Sequence, residues 1–380
     1  MLASRHSPWF RRLALLAAAL ALAVIVFGAF VRLSNAGLSC PDWPTCYGKA
    51  SWPVHAEDIA AANASFTREV APDKAWREQL HRHLAATLGL LVLTLALIAT
   101  RGRARDWQIV LAAAALVGAS IPLYMHTEYL AAAVLALAGE LLLLYTAWRL
   151  RADRRAALAV LTLMVIVIQA LLGMWTVTWL LKPIVVMAHL LGGLATLSLL
   201  AWLVLRTYGP AARPEESLPT RTWVALGFSL LLVQIALGGW TSANYAAWSC
   251  GTDFPTCLGQ WWPAADFREG FVLWRGIGVD YEGGVLDATA RTAIQLAHRL
   301  FAVLASAWLL AIVTHSWRYR SLRVYAGALL ILLGAQLAIG IANVKLGLPL
   351  WLAVAHNAGA ALLLLAVLAL WARLAPPLRT

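Results

Sequence analysis

The stretch GAFVRLSNAGLSCPDWPTCYG (Gly28–Gly48) returns in altered form as GGWTSANYAAWSCGTDFPTCLG (Gly238–Gly259). In both copies a glycine lies 12 residues before the first cysteine, and Pro-Thr-Cys closes the motif. Each copy follows a long apolar run and places Pro and Asp, both turn residues, around its cysteines. Self-similarity of this kind is the signature of a duplicated unit. The chain is therefore read as two related halves, each with apolar helices opening onto a cysteine loop.

Composition says where such helices live. Of 380 residues, 62% are hydrophobic and 13% charged, against about 45–50% and about 25% in soluble domains. Mean hydropathy is +0.74. A soluble core of this size cannot hide so much apolar surface. A soluble enzyme, a disordered chain and a DNA-binding domain are thereby excluded. Ten runs reach bilayer length: 13–31, 80–100, 107–123, 129–148, 157–178, 184–205, 222–241, 292–313, 324–343 and 350–371. They are continuous, not alternating, so they read as helices and not as barrel strands.

The net charge of +12 is explained by topology. Arg5, Arg11 and Arg12 precede the first run, and Arg101, Arg103 and Arg105 follow the second. Arg149, Arg151, Arg154 and Arg155 follow the fourth, and Arg206, Arg213 and Arg221 lie between the sixth and seventh. Arg318, Arg320 and Arg323 follow the eighth, and Arg373 and Arg379 the tenth. With ten spans, all these segments share one side, which puts both termini in the cytoplasm. No nucleic acid partner is needed. The first run resembles a signal peptide, but its counterpart is internal, so it is expected to remain a span. A long Arg- and Ser-rich presequence is missing, so the expected home is a bacterial inner membrane.

Two further repeats refine the halves. QLHR (Gln79–Arg82) matches QLAHR (Gln295–Arg299), and Gln169, Gly173 and His189 match Gln336, Gly340 and His356 at identical spacings. Both copies begin on the same side, as in a parallel repeat. The expected fold is an all-α integral membrane protein of two parallel-repeat four-helix bundles. Residues 1–206 form the first half, 207–221 a cytoplasmic linker and 222–380 the second half. The first half has an extra hydrophobic hairpin at about 107–150, which lengthens the His81–His189 separation relative to His298–His356. The hairpin contains Glu140, and an acid inside a membrane is costly.

Of the nine histidines, His6, His55, His126 and His315 read as solvated loop residues and His83 as a packing residue. His81, His189, His298 and His356 are different. Each lies towards the same end of a span, His189, His298 and His356 about five or six residues in, roughly 8–9 Å deep, and the four form two matched pairs. Imidazole suits haem iron, zinc or copper, but zinc usually gathers three or four close ligands. Two histidines on different helices suit a flat macrocycle held between them. Arg82 and Arg299 follow the ligands and could pair haem propionates or simply snorkel. Glu78 stands three residues before His81, where the second half has Gln295. A carboxylate there can move a proton or stabilise positive charge, so the first half reads as the reactive one. Cys40/Cys46 and Cys250/Cys257 read as local disulfides in an oxidising compartment. A redox-active thiol pair or a structural metal is the alternative.

RLSNAGLSCPDWPTC (Arg32–Cys46), ExxHR (Glu78–Arg82), QxxLGxWTV (Gln169–Val177) and the repeated histidines together resemble the haem A synthase family over nearly the whole chain, apart from the hairpin. The resemblance implies an oxidoreductase that turns a ring methyl of haem O into the formyl group of haem A for terminal oxidase biogenesis. It implies haem b on His298 and His356, substrate haem O on His81 and His189, catalysis through Glu78, and disulfides at Cys40–Cys46 and Cys250–Cys257. Haem O synthase, cytochrome oxidase assembly factors, an electron donor such as a ferredoxin, membrane lipid and a second copy of the chain are its expected partners. Competing readings from the residues are a quinol-linked di-haem b electron-transfer protein and a transporter. Two axial histidines also leave no open iron position for O2, so either one ligand leaves or the chemistry avoids direct binding.

Overall fold

The computed structural model describes residues 8–208 and 218–375. Arg5, His6, Arg213 and Arg379 lie outside them. All ten apolar runs form helices: α1 (Pro8–Leu33), α3 (Pro72–Thr100), α4 (Ala104–Met125), α5 (Tyr129–Arg149), α6 (Arg154–Thr178), α7 (Pro183–Tyr208), α8 (Leu218–Ala243), α10 (Ala288–Trp317), α11 (Arg323–Lys345) and α12 (Leu350–Leu374). Two shorter helices, α2 (Ala56–Ser65) and α9 (Phe267–Gly270), lie in the segments that follow the cysteines. Among the described residues, ten helices are long and apolar enough to cross a membrane. The chain is an all-α multi-pass membrane protein, as its composition requires.

Several helices outrun their apolar stretches because their starts carry good capping chemistry. Pro72 opens α3 at the position where its missing N–H costs nothing. Asp287 caps α10 by accepting from the Ala290 N–H at 2.8 Å. Asp153 caps α6 through the Ala156 N–H at 3.1 Å. The early starts matter for the histidines. His189 and His356 are each the seventh residue of their helices, whereas His81 and His298 are the tenth and eleventh. So α3 and α10 protrude further at the cysteine-loop end than the apolar pattern predicts.

Helix contacts close two rings. α1 packs on α3, α3 on α6, α6 on α7, and α7 back on α1. α8, α10, α11 and α12 close a second ring in the same order. The rings meet through α1 with α12, α7 with α8 and α7 with α12. The shared core includes Ala17, Val92, Leu197, Leu200, Leu309 and Leu364, all essentially inaccessible. α4 and α5 pack mainly on each other, and from outside the first ring α4 leans on α3 and α5 on α6. Gly139 permits that close approach, since a Cβ there would meet Val117 and the Ala113 carbonyl. Arg149 binds Asp106 at 3.1 Å and Arg103 binds Asp153 at 2.7 Å, tying the hairpin down at its arginine-bearing end. Glu140 is half-buried, with Oε1 unpartnered.

Candidate functional site

His81 on α3 and His189 on α7 belong to the first ring, and His298 on α10 and His356 on α12 to the second. Within each ring the two imidazoles are close enough to interact electrostatically. Among the described residues, no three His, Cys, Asp or Glu side chains converge.

Each imidazole lies against a glycine of a neighbouring helix. A Cβ on Gly28 would stand 2.7 Å from the His81 Cε1. The corresponding distances are 3.1 Å for Gly173 and His189, 3.2 Å for Gly238 and His298, and 3.0 Å for Gly340 and His356. At Gly28 a methyl group would overlap the ring, and at the other three the ring would have to give by a few tenths of an ångström.

Three of the four also meet a glutamine. Gln169 Nε2 lies 2.9 Å from His189 Nδ1 and donates to the His189 carbonyl at 2.5 Å. Gln234 Nε2 lies 3.1 Å from His298 Nδ1 and donates to the His298 carbonyl at 3.2 Å. Gln336 donates to the His356 carbonyl at 3.0 Å, with its amide 3.5 Å from the ring. Each glutamine stands four residues before the matching glycine. Four residues before Gly28 stands Val24 instead, and His81 Nδ1 is buried without a partner. Gln234 was legible from this Gln-x3-Gly spacing but escapes a reading that starts from histidines alone.

The first loop reaches down to Glu78. Its carboxylate, 4% exposed, accepts from Arg82 Nη2 at 2.6 Å, the Cys40 N–H at 2.8 Å and the Ser39 hydroxyl at 3.1 Å. The Cys40–Cys46 disulfide closes this loop, and Cys250–Cys257 closes its counterpart. Both bonds are as the sequence led us to expect. Gln295 is also buried, donates to the Ala247 carbonyl at 3.4 Å, and leaves Oε1 unpartnered.

The two arginines behave differently. Arg82 gives Nη1 to the Asp42 and Thr45 carbonyls and Nη2 to the Cys40 carbonyl and Glu78. Arg299 gives Nη1 to the Thr256 carbonyl at 2.8 Å and keeps Nε and Nη2 buried without partners. His83 Nε2 meets the Ala50 carbonyl at 3.0 Å, which ties it to the first loop. His315 corrects the sequence reading. It lies within α10, stacked on Trp223 with its Nε2 3.0 Å from Thr220 Oγ1.

This donor set fits a macrocycle with one imidazole on each face. Ligation through Nε2 leaves the proton on Nδ1. A rotated amide accepts that proton through Oε1 at His189 and His298, where the Oε1 atoms of Gln169 and Gln234 are buried and unpartnered; at His356 the Gln336 amide lies on the Nε2 side and Nδ1 is without a partner. An apolar cavity of about 690 Å³ lies beside the first pair, between α1 and α12. It is lined by Phe27, Phe30 and Trp351, and Phe27 stacks on His81.

Comparison with known proteins places these features. The model of the family COX15-CtaA, cytochrome oxidase assembly protein, matches residues 11–137 and 119–368. A heme A synthase of Shewanella oneidensis is 36% identical over 365 residues, covering 94% of this chain and 93% of the relative. Heme A synthases of Caulobacter vibrioides and Methylobacterium nodulans are 26% and 30% identical, covering 91% and 94% of this chain and 90% and 89% of theirs.

Proposed function

The chain belongs to the COX15-CtaA family of cytochrome oxidase assembly proteins, and on that premise we propose that it acts as a haem A synthase. It is a membrane oxidoreductase that converts a ring methyl of haem O to a formyl group. The conversion runs through successive oxygenations, each drawing electrons and protons, to a hydrated aldehyde that loses water. Haem O is bound between His81 and His189, and haem b between His298 and His356. Haem b, when bound there, supplies one-electron transfer towards the substrate side.

The observation that carries the division of labour is the Glu78/Gln295 difference between otherwise matched rings. Glu78 stands one helical turn from His81 with three donors aimed at it and can hold a proton or offset positive charge on the substrate. Gln295 can do neither. Gly28 and Gly173 set the two imidazoles of the substrate site, and Gln169 fixes the plane of one of them.

The two rings correspond to the halves 1–206 and 222–380. Arginines concentrate at one end of the helices, which supports cytoplasmic termini in a bacterial inner membrane. The disulfides at the other end suit an oxidising compartment, which puts the haem sites near the periplasmic face. Haem O synthase, oxidase assembly factors and an electron donor such as a ferredoxin are the partners this role requires.

The test is an absorption spectrum of the detergent-purified protein, chromatography of its acid-extracted haems, and a haem O conversion assay. Haem b together with haem O or haem A is expected. The Glu78→Gln protein should keep haem b and lose product formation. Undiminished haem A from that variant would remove Glu78 from the mechanism, and a protein that stays colourless when supplied with haem would remove the function.

A further inference from the structure

Each ring carries a buried cation with donor groups left unclaimed, and the two rings place it differently. In the second ring it is Arg299, whose neighbour Gln295 is neutral and leaves Nε and Nη2 unclaimed. In the first ring Glu78 and three loop carbonyls take both terminal nitrogens of Arg82. Arg77 on α3 also has a buried Nε without a partner but is only part-buried; the fully buried cation without a partner there is Lys182, which no sequence motif singles out. Its side chain is 0% exposed, and its Nζ has no hydrogen-bond partner. The ammonium lies 3.4 Å from the ring centroid of Trp274 and 5.4 Å from that of Trp179.

Lys182 is placed by an unusual turn. It precedes the first residue of α7, and its carbonyl accepts from the Val185 and Val186 N–H groups. It stands seven residues before His189, on the same helical face and roughly 10 Å nearer the loop end. The matching position seven residues before His356 is Pro349. Leu180 and Leu181 lead into Lys182 at φ of 51° and 59°, where the second ring has Gly347 and Leu348. A bulky residue at positive φ is a strained choice, and here the matching glycine is a leucine. The turn is roofed by the other half. Tyr281 donates its N–H to the Leu180 carbonyl at 3.1 Å, and Arg68 binds Glu282 at 2.8 Å and Asp280 at 3.4 Å.

An ammonium sealed from water without an anion is strongly disfavoured, and two indole faces offset only part of that cost. The missing partner is an anion, and the nearest proposed ligand with carboxylates is the macrocycle between His81 and His189. We propose that Lys182, beneath the Trp179–Trp274 roof, receives a carboxylate of the haem held by His81 and His189, as Arg299 does for the haem of the second ring. This rests on the haem-site reading above. Anchoring one carboxylate fixes the rotation of the macrocycle about the axis joining the two imidazoles. It thereby selects which ring methyl faces Glu78.

The experiment compares binding of haem O and of its dimethyl ester, which cannot present a carboxylate, to the purified protein. The haem b band of the second ring serves as an internal measure of folded protein. Wild type should prefer the free acid by roughly tenfold or more, the worth of one charge-assisted hydrogen bond. Lys182→Met should bind both forms equally while keeping haem b, and Lys182→Arg should restore part of the preference. A Lys182→Met protein that keeps the full preference for the free acid overturns the proposal. If His81→Ala and His189→Ala bind haem O as wild type does, the haem-site reading fails instead, whatever Lys182 does.

Discussion

Replacing Gly28 with alanine puts a methyl group where the His81 ring now lies. The new Cβ would stand 2.7 Å from Cε1, short of an ordinary carbon contact of about 3.5 Å by about 0.8 Å. A metal–ligand distance tolerates about 0.2 Å, so the imidazole cannot make way and still hold iron in its present place. At Gly238 the same substitution leaves the Cβ 3.2 Å from the His298 Cε1, a shortfall of about 0.3 Å that small adjustments absorb. Gly28→Ala should therefore lose the haem of the first ring while keeping haem b, and Gly238→Ala should keep both. Displacing a ligand's support typically costs about 10–100-fold in affinity. Chromatography of extracted haems from matched amounts of protein reads the result directly. Full haem O content in Gly28→Ala would refute the argument that this glycine sets its imidazole, and loss of haem b in Gly238→Ala with haem O retained would refute the distance reasoning that separates the two sites.

Gln234→Leu removes the amide at His298 Nδ1; transfer of haem b to excess apomyoglobin should quicken by about 10–100-fold, and an unchanged rate would deny the glutamine any role in holding the ligand. Val24→Gln supplies His81 Nδ1 with the partner that His189 and His298 possess. Haem O should then dissociate more slowly, and an unchanged dissociation rate would show that the missing partner at His81 Nδ1 does not weaken the ligand. Asp253 sits inside the second disulfide loop, held below the usual carboxylate range by the Gly259 N–H and the Thr256 hydroxyl. A lowered folded value contributes stability above about pH 4 that is lost as pH falls towards it. Reduction of Cys250–Cys257 by a phosphine should thus accelerate below pH about 4 in wild type, and the acceleration should vanish in Asp253→Asn.

The fold was legible because a bilayer imposes a simple rule. A run of apolar residues must be a helix if its backbone is to be satisfied, and all ten runs are helices. Helix starts were less legible, because α3 and α10 extend past their apolar stretches through polar first turns capped by Pro72 and Asp287. Histidines, cysteines and Glu78 could be found from the sequence because they repeat, or conspicuously fail to repeat, at fixed spacing. Lys182 could not, since its interest lies in being buried without an anion, and only packing reveals that. Trp274, which covers it, comes from the other half of the chain, more than 90 residues away. His315 was misread for a related reason: α10 continues to Trp317 and stacks it on Trp223.

The differences between the rings form a connected set. Both rings have two histidines, two glycines against their imidazoles and a disulfide loop. The first ring adds an acid at Glu78, omits the glutamine at Val24, and moves the unpaired cation from the arginine beside the histidine to Lys182. The first change forces the third: once Glu78 binds Arg82, that arginine is no longer free for a ligand carboxylate. It also ties chemistry to the loop. The Glu78 carboxylate accepts from Arg82, Ser39 and the Cys40 N–H, so a proton arriving on it must displace or weaken one of those donors. Arg82 is in turn the guanidinium that gathers the carbonyls of Cys40, Asp42 and Thr45. The protonation state of Glu78 is therefore mechanically coupled to the Cys40–Cys46 loop. Gln295, which makes a single long bond to Ala247, gives the second ring no such coupling.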